Sequence, residues 1–260
     1  MQTSQSSYAG RHAELYDIFY AEKPYREEAA FIHNCLQAYG SGVKSILELA
    51  CGTGTHALLL EKFGYEITAI DSSPNMLAQA QKKGTTSHSR VKFQLQDMRD
   101  LDVPQQPWDA VICLFDSIGY VATNENILKV LNGVRRQLRP GGLFIFEFWH
   151  AGAMLRYFDP LRVRHFQTPN GEIERISETS IDCKEQLCHV SYTINEFGAD
   201  GTYRTTCETQ INRFFLVQEM SLLLQSAKLS PLKWFADYRE DEQINQSTWH
   251  IVTVAQKDNY

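Results

Sequence analysis

Glu48-Leu49-Ala50-Cys51-Gly52-Thr53-Gly54-Thr55 is the stretch on which the fold turns. The apolar run SILELA leads into it, and HALLLEKFG follows with a helical pattern closed by Gly64, so the order is strand, glycine loop, helix. Gly52 and Gly54 let the backbone turn tightly and come close to a ligand, while the helix after them aims its free N–H groups at that ligand. A dinucleotide fingerprint, G-x-G-x-x-G, would put its third glycine on Ala57, which the loosened pattern permits, so spacing leaves that reading open. Glu48 departs from it. A carboxylate at the strand end, ahead of the glycines, repels a pyrophosphate and suits a cationic ligand bearing an amine or a sulfonium.

Outward from this loop the pattern repeats. A helix, YREEAAFIHNCLQA, precedes the first strand and stops at Gly40-Ser41-Gly42; EITAID (Glu66–Asp71) is a second strand, and Pro74 to Gly84 a helix opened by proline and closed by glycine. VKFQLQD, WDAVICLFDS and GLFIFEFW read as the third, fourth and fifth strands, with ENILKVLNGVRRQL as a helix between the last two. Continuously apolar strands alternating with helices predict a Rossmann-like, doubly wound, mostly parallel α/β sheet. After about Ala153 the texture changes. RVRHFQTP, EIERISETSID, LCHVSYTINEF and TYRTTCETQINRFF, punctuated by Asn170-Gly171 and Asp200-Gly201, predict an antiparallel meander. A helix from about Val217 and strands at PLKWFADY and TWHIVTVAQ finish the chain. The expected organisation is a helical cap over residues 1–40, an α/β unit over 41–152 and 215–260, and a β-rich insertion over 153–214 that covers a substrate or forms a homodimer interface.

With 25 Lys+Arg against 31 Asp+Glu in 260 residues the net charge is −6, and no basic run is present, which argues against nucleic acid or an anionic membrane as partner. The N-terminus MQTSQSSYAGRH has no apolar core and no stretch approaches a membrane span, so a cytoplasmic protein with a small-molecule partner is expected. The six cysteines are scattered without a C-x-x-C and read as reduced thiols in packing roles. Asp182, Cys183, Cys188 and His189 would form a metal site only if strand alternation brought them to one face, and no metal is expected.

Asp71 ends the second strand 17 residues after Gly54, where a carboxylate accepts from both ribose hydroxyls; Asp97 ends the third, where it accepts from an adenine amino group or caps a turn. ILELACGTG, AIDSSPNML, QDMRDL, WDAVICLFDSIGY and LRPGGLFIFE together resemble, in order and spacing, the motifs of class I S-adenosylmethionine-dependent methyltransferases over about residues 40–150. The resemblance implies S-adenosyl-L-methionine as cofactor, with S-adenosyl-L-homocysteine as product. It places Glu48 and the Ala50, Gly52, Thr53, Gly54 loop at the methionine moiety, Asp71 at the ribose, Asp97 and Met98 at the adenine, and Ser72, Met76 and Leu114 in further cofactor contacts.

A narrower resemblance spans nearly the whole chain. Tyr8-Ala9-Gly10, AELYDIFY, PYREEAA, ACGTGTH, DMRD and CLFDSIGY look like the N,N-dimethyltransferases of nucleotide-linked amino sugars. It implies Tyr8 near the transferring methyl, Tyr16 and Tyr25 on the cofactor, and Glu28 facing the active site. Tyr120 stands where those enzymes can have His, and Asp116 where they have Ser. Asn245 to His250 replaces a C-terminal Gly and Arg around the nucleotide, which counts against a nucleotide-sugar substrate. On this reading the reaction is N-methylation of an amine or guanidine-type metabolite, with Asp116, Glu28 or Glu147 binding the amine, Tyr8 and Tyr120 shaping the methyl path, and His150 as a base or donor. Asp116 leads because it directly follows the fourth strand, and ligands gather at the carboxyl ends of an open α/β sheet. The plainer readings are a solvated Glu28, a buried and paired Glu147, a structural His150, and Tyr16, Phe19 and Tyr20 as the apolar face of a helix. Alternative functions are O- or carboxyl-methylation, or a non-catalytic cofactor-binding or dimerisation protein. A base-amino methylase is disfavoured, since Phe115-Asp116-Ser117-Ile118 replaces its N/D-P-P-Y/F.

Overall fold

Apolar strands that alternate with helices need cover on both faces, and the chain supplies it. The computed structural model describes residues 8, 10–104 and 107–258; Ala9 of the Tyr8-Ala9-Gly10 motif lies outside them. Its elements run α1 (Arg11–Phe19), α2 (Tyr25–Tyr39), β1 (Ser45–Leu49), α3 (Thr55–Leu60), β2 (Glu66–Asp71), α4 (Pro74–Thr86), β3 (Lys92–Leu95), β4 (Trp108–Cys113), α5 (Asn124–Gln137) and β5 (Leu138–Trp149). Then come α6 (Ala151–Tyr157), β6 (Leu161–Thr168), β7 (Gly171–Asp182), β8 (Leu187–Gly198), β9 (Tyr203–Arg213), α7 (Val217–Ser226), β10 (Leu229–Ala236) and β11 (His250–Lys257).

Seven strands form one sheet in the order β10-β11-β5-β4-β1-β2-β3. Strands β1 to β5 are parallel, and β11 runs antiparallel between β5 and β10. Strand alternation sorts the core into two layers. Leu47, Leu49 and Val111 pack with Ile127, Leu131 and Val134 of α5 and Leu224 of α7. Ile46, Ala110 and Ile112 pack with Ile32 and Leu36 of α2 and Leu60 of α3. Each such fully buried aliphatic side chain contributes about 1.5–3 kcal/mol. The order reverses between β1 and β4, whose next neighbours are β2 on one side and β5 on the other, and this switch point opens a crevice at the strands' carboxyl ends.

The meander is a separate four-stranded antiparallel sheet, β6-β7-β8-β9. It is bolted to the larger sheet by β9. Asn212 donates to the Asp116 carbonyl (3.1 Å), and the Arg213 guanidinium donates to the Ala122 carbonyl (3.2 Å), to Asn124 (2.6 Å) and to Glu219 (2.6 Å). The approach is so close at Gly119 that a Cβ there would lie 1.9 Å from Asn212 Oδ1. Helix α1 fills the angle between the sheets: Leu15 and Phe19 pack on Ile173 and Ile194, while Ala13 and Tyr16 pack on Met76 of α4.

The structure differs from the sequence reading in detail. Helix α4 runs on past Gly84 to Thr86, the third strand stops at Leu95, and the Arg139-Pro140-Gly141-Gly142 turn is a bulge inside β5, since Trp108 pairs with Leu138 before the register shifts to Ala110 with Leu143. The short helix α6 was not anticipated, being too brief to show a period. The six cysteines are free, four of them buried. Among the described residues no helix is long and apolar enough to cross a membrane.

Candidate active site

The glycine loop and the strand ends around it build the first part of the site. Gly54 holds φ +75°, and a Cβ there would stand 2.7 Å from the Phe93 ring, so no other residue fits. Gly52 donates its N–H to Asp71 (2.8 Å) and Ser73 donates to the other oxygen (2.8 Å), which fixes the carboxylate at the end of β2. Glu48 is 2% exposed, and burial, with Asp71 nearby, pushes its carboxyl up to about 8. Its Oε2 has no hydrogen-bond partner. A buried carboxylate oxygen left without a donor costs about 1–3 kcal/mol, and a cationic ligand group would satisfy it. A narrow cavity of about 30 Å³ is lined by Glu48 with Tyr16, Tyr25, Ala50, Thr53 and Leu114 among others. Met76 packs beside Gly52, Met98 is buried at the end of β3, and Ser72 is exposed. These residues fit the ammonium-bearing, ribose-bearing cofactor that the sequence implies.

The N-terminal segment closes over the loop. Thr53 donates to Asp17 of α1 (2.6 Å), and Lys83 donates to Asp17 (2.8 Å) and Thr53 (2.8 Å). Tyr16 and Tyr25 share a side-chain hydrogen bond. Tyr8 ties three parts together. Its carbonyl accepts from Ser73 (3.0 Å), its N–H donates to Glu208 of β9 (2.6 Å), and its hydroxyl meets that of Tyr120 at 2.7 Å. Tyr120 in turn donates to Gln210 (3.1 Å). Burial raises both phenols well above their ordinary value, so both stay neutral.

A cavity of about 430 Å³ lies between these tyrosines, the end of β4 and the four-stranded sheet; Asp116, Trp149, Arg175, Tyr192, Trp249 and His250 are among its walls. Asp116 sits at φ +55° on the sharp turn after β4, following Phe115 at φ +57°. It is 2% exposed, and burial pushes its carboxyl up to about 6 despite the nearby imidazole. His250 Nδ1 lies 2.9 Å from Asp116 and 3.3 Å from Glu147. Burial works against the charged ring, but the two carboxylates overcome it and hold His250 well above its ordinary value. At Glu147 burial is outweighed by His250, and the carboxyl falls to about 2; Phe115 N–H (2.9 Å) and the Tyr238 hydroxyl also donate to it. The result is an imidazolium shared by one firmly ionised carboxylate and one poised near neutrality. Ligand atoms of all three residues lie within 4.8 Å of one another.

Other sequence candidates fall elsewhere. His150 lines neither cavity; it caps α6, its Nδ1 meets the Thr248 carbonyl at 3.2 Å, and burial lowers its pKa. The ring is held against the Thr248 carbonyl because the chain turns into α6 directly after β5. Glu28 is not solvated: it is buried and paired with His56 (2.8 Å) and Lys23, on an adjoining open cleft rather than in the 430 Å³ cavity. Asp97 caps the turn after β3 by accepting from Arg99 N–H (2.8 Å); burial opposes its charge, yet the Arg99 guanidinium lowers its pKa overall. Tyr16 and Phe19 are both buried in the inner face of α1. Asp182 accepts from turn amides, and Cys188 and His189 point to opposite faces of β8. Sequence reasoning missed His250 and Tyr238, whose proximity to Asp116 and Glu147 depends on β11 lying beside β5.

The reversed strand order, the glycine loop and the row of carboxylates define a class I methyltransferase fold. Residues 46–142 match the family described as methyltransferase domain, and the chain is an S-adenosylmethionine-dependent methyltransferase. It is 29% identical over 236 residues, 90% of this chain and 92% of the other, to YqeM of Bacillus subtilis (strain 168), a methyltransferase by name. It is 32% identical over 142 residues, 53% of this chain and 57% of the other, to the dTDP-3-amino-3,4,6-trideoxy-alpha-D-glucopyranose N,N-dimethyltransferase of Streptomyces venezuelae. The fold of a solved methyltransferase from Clostridium acetobutylicum ATCC 824 superposes with a TM-score of 0.82 at 20% identity, covering 95% of this chain and 97% of that one.

Proposed function

We propose that the protein methylates the amine nitrogen of a small-molecule acceptor bound in the 430 Å³ cavity. The observation that carries this reading is Asp116, a buried carboxylate on the turn after β4 that lines the cavity and is poised near neutrality by burial. A carboxylate there binds an ammonium and then accepts its proton, leaving the nitrogen lone pair free; an acceptor that is itself a carboxylate carries no such proton and would be repelled. The similarity to an amino-sugar N,N-dimethyltransferase supports nitrogen as the acceptor atom.

When bound, S-adenosylmethionine supplies an electrophilic methyl on a sulfonium, which a nitrogen lone pair displaces in line. Glu48 would take the cofactor's ammonium, the Ala50 to Gly54 loop its methionine backbone, and Asp71 its ribose hydroxyls. Tyr8 and Tyr120, linked hydroxyl to hydroxyl, wall the acceptor cavity and orient the acceptor, and Phe115 lines both cavities. His250 holds Asp116 in place and balances its charge, while β7, β8 and β9 of the insertion cover the acceptor and exclude water. Such orientation supplies ~7–11 kcal/mol of the barrier.

The test is a methylation screen with mass-spectrometric readout over small amines, guanidines and amino-sugar nucleotides, beside hydroxylated and carboxylate controls. Gain of one or two methyls on an amine, lost in Asp116→Asn while cofactor binding persists, is the expected result. Turnover confined to hydroxyl or carboxyl acceptors, or full amine methylation by Asp116→Asn, would overturn it.

A further inference from the structure

Arg175 sits in the middle of β7 with 5% exposure and lines the acceptor cavity. Its Nε and Nη1 have no hydrogen-bond partner, and among the described residues no carboxylate pairs with it. Instead the guanidinium carbon stands 4.7 Å from the Phe19 ring centre and 5.5 to 5.6 Å from those of Tyr20, Tyr192 and Phe166. Rings can offset part of the cost of burying a cation, but they accept none of its N–H groups.

The cross-strand register sharpens the anomaly. Arg175 pairs directly with Arg164 of β6, so the two project from the same face of the sheet, and Arg164 lines the same cavity. Like charges directly opposite each other destabilise a sheet. The acids around them are committed elsewhere: Asp159 to Arg162, Glu208 to Tyr8, His12 and Gln210, and Asp116 to His250. Two facing guanidinium groups, one of them buried with unmet donors, need an anion, and the cavity is where one could enter.

We propose that Arg164 and Arg175 bind an oxyanion, a carboxylate or a phosphate, carried by the acceptor whose amine is received by Asp116. The inference rests on the amine-acceptor reading above and narrows it to amines that also bear such a group. The planar forks suit two oxygens of one such group, and the aromatic rings hold the Arg175 fork in a fixed orientation before the ligand arrives.

The experiment compares matched amines on the full chain: an amino sugar with and without a phosphate, and amino acids beside their amides. The wild type is expected to favour the anionic member by about 10- to 100-fold in kcat/KM, carried mostly by KM. Whichever anionic pair shows the effect identifies carboxylate or phosphate. Arg175→Met and Arg164→Gln should lose that preference while S-adenosylhomocysteine affinity, read by calorimetry, stays the same. Equal rates on both members in the wild type, or a preference that survives both substitutions, would show that the cluster is only an aromatic packing site. If no amine is methylated the amine reading fails by itself, and thermal shift with inorganic phosphate decides the arginine pair. Stabilisation of the wild type but not of Arg164→Gln supports the site, and equal or absent shifts overturn it. Arg164 is exposed, so its variant serves even if Arg175→Met does not fold.

Discussion

The two sheets face each other across one cavity and contribute opposite chemistry to it. The seven-stranded sheet delivers its groups at strand ends, where Glu48, Asp71 and Asp116 each stand in or beside a turn that local residues dictate. The four-stranded sheet delivers Arg164, Arg175, Tyr192 and Gln210 from strand interiors, one residue in every two, where only cross-strand register brings them together. The parallel sheet is therefore an acidic floor written in contiguous motifs, and the meander a roof of arginines and aromatics assembled from residues as far apart as 164 and 210. The first arrangement suits a cofactor shared by many enzymes. The second can be redrawn by exchanging single alternating side chains without disturbing the ladder, as a cover that chooses the acceptor requires.

The sharpest way to break this division is at Asp116, on the floor but facing the roof. Asp116→Asn should lower kcat/KM for an amine acceptor by about 10²–10⁴-fold while leaving cofactor affinity within experimental error. Because burial raises this carboxyl to about 6, lowering the pH through that value protonates it and removes the base. The wild type should show an acid limb in kcat/KM near pH 6 that the variant lacks, and a limb that survives the substitution would assign the base elsewhere. Next comes Glu48→Gln, which should weaken S-adenosylhomocysteine binding in calorimetry by about 10–100-fold, with KM for the acceptor little changed. A variant that bound normally would deny the orphaned carboxylate its ammonium partner.

Tyr8 joins floor to roof, so its removal tests whether the two act as one site. Tyr8→Phe deletes the hydroxyl contact with Tyr120, and a loss of about 0.5–1.5 kcal/mol, or roughly 2- to 10-fold in kcat, is expected. Cofactor affinity should hold, because the backbone bonds of Tyr8 to Ser73 and Glu208 remain. The smallest catalytic effect belongs to His150, which lines neither cavity. His150→Gln should leave kcat/KM within about 3-fold while lowering stability by about 1–3 kcal/mol in urea unfolding, as the buried contact to Thr248 is lost. A larger kinetic effect would extend the active site past the end of β5.

How much of this could be read from the chain follows the same division. Strand, glycine loop and helix declare themselves within a dozen residues, and the acidic strand ends follow at fixed offsets, so the floor was legible down to Glu48 and Asp71. The meander was legible as a meander, since Asn170-Gly171 and Asp200-Gly201 mark its turns. Its chemistry was not: nothing near Arg175 in sequence shows that Arg164 lies opposite or that no acid among the described residues pairs with either. His250 reads as the start of an ordinary strand until β11 is seen to run beside β5. His150, by contrast, ends a strand in the expected way yet lines neither cavity, because the chain folds directly into α6.

By itself the sequence determined the parallel sheet, the cofactor loop and the acidic row, because backbone turning and side-chain periodicity are properties of neighbouring residues. Only the tertiary structure decided which carboxylate is poised and which is fixed, since that depends on a histidine 134 positions from Asp116. It alone decided that two arginines confront each other with no counter-charge among the described residues. Burial and electrostatic pairing are set by what folds against a residue, and no local pattern carries that information.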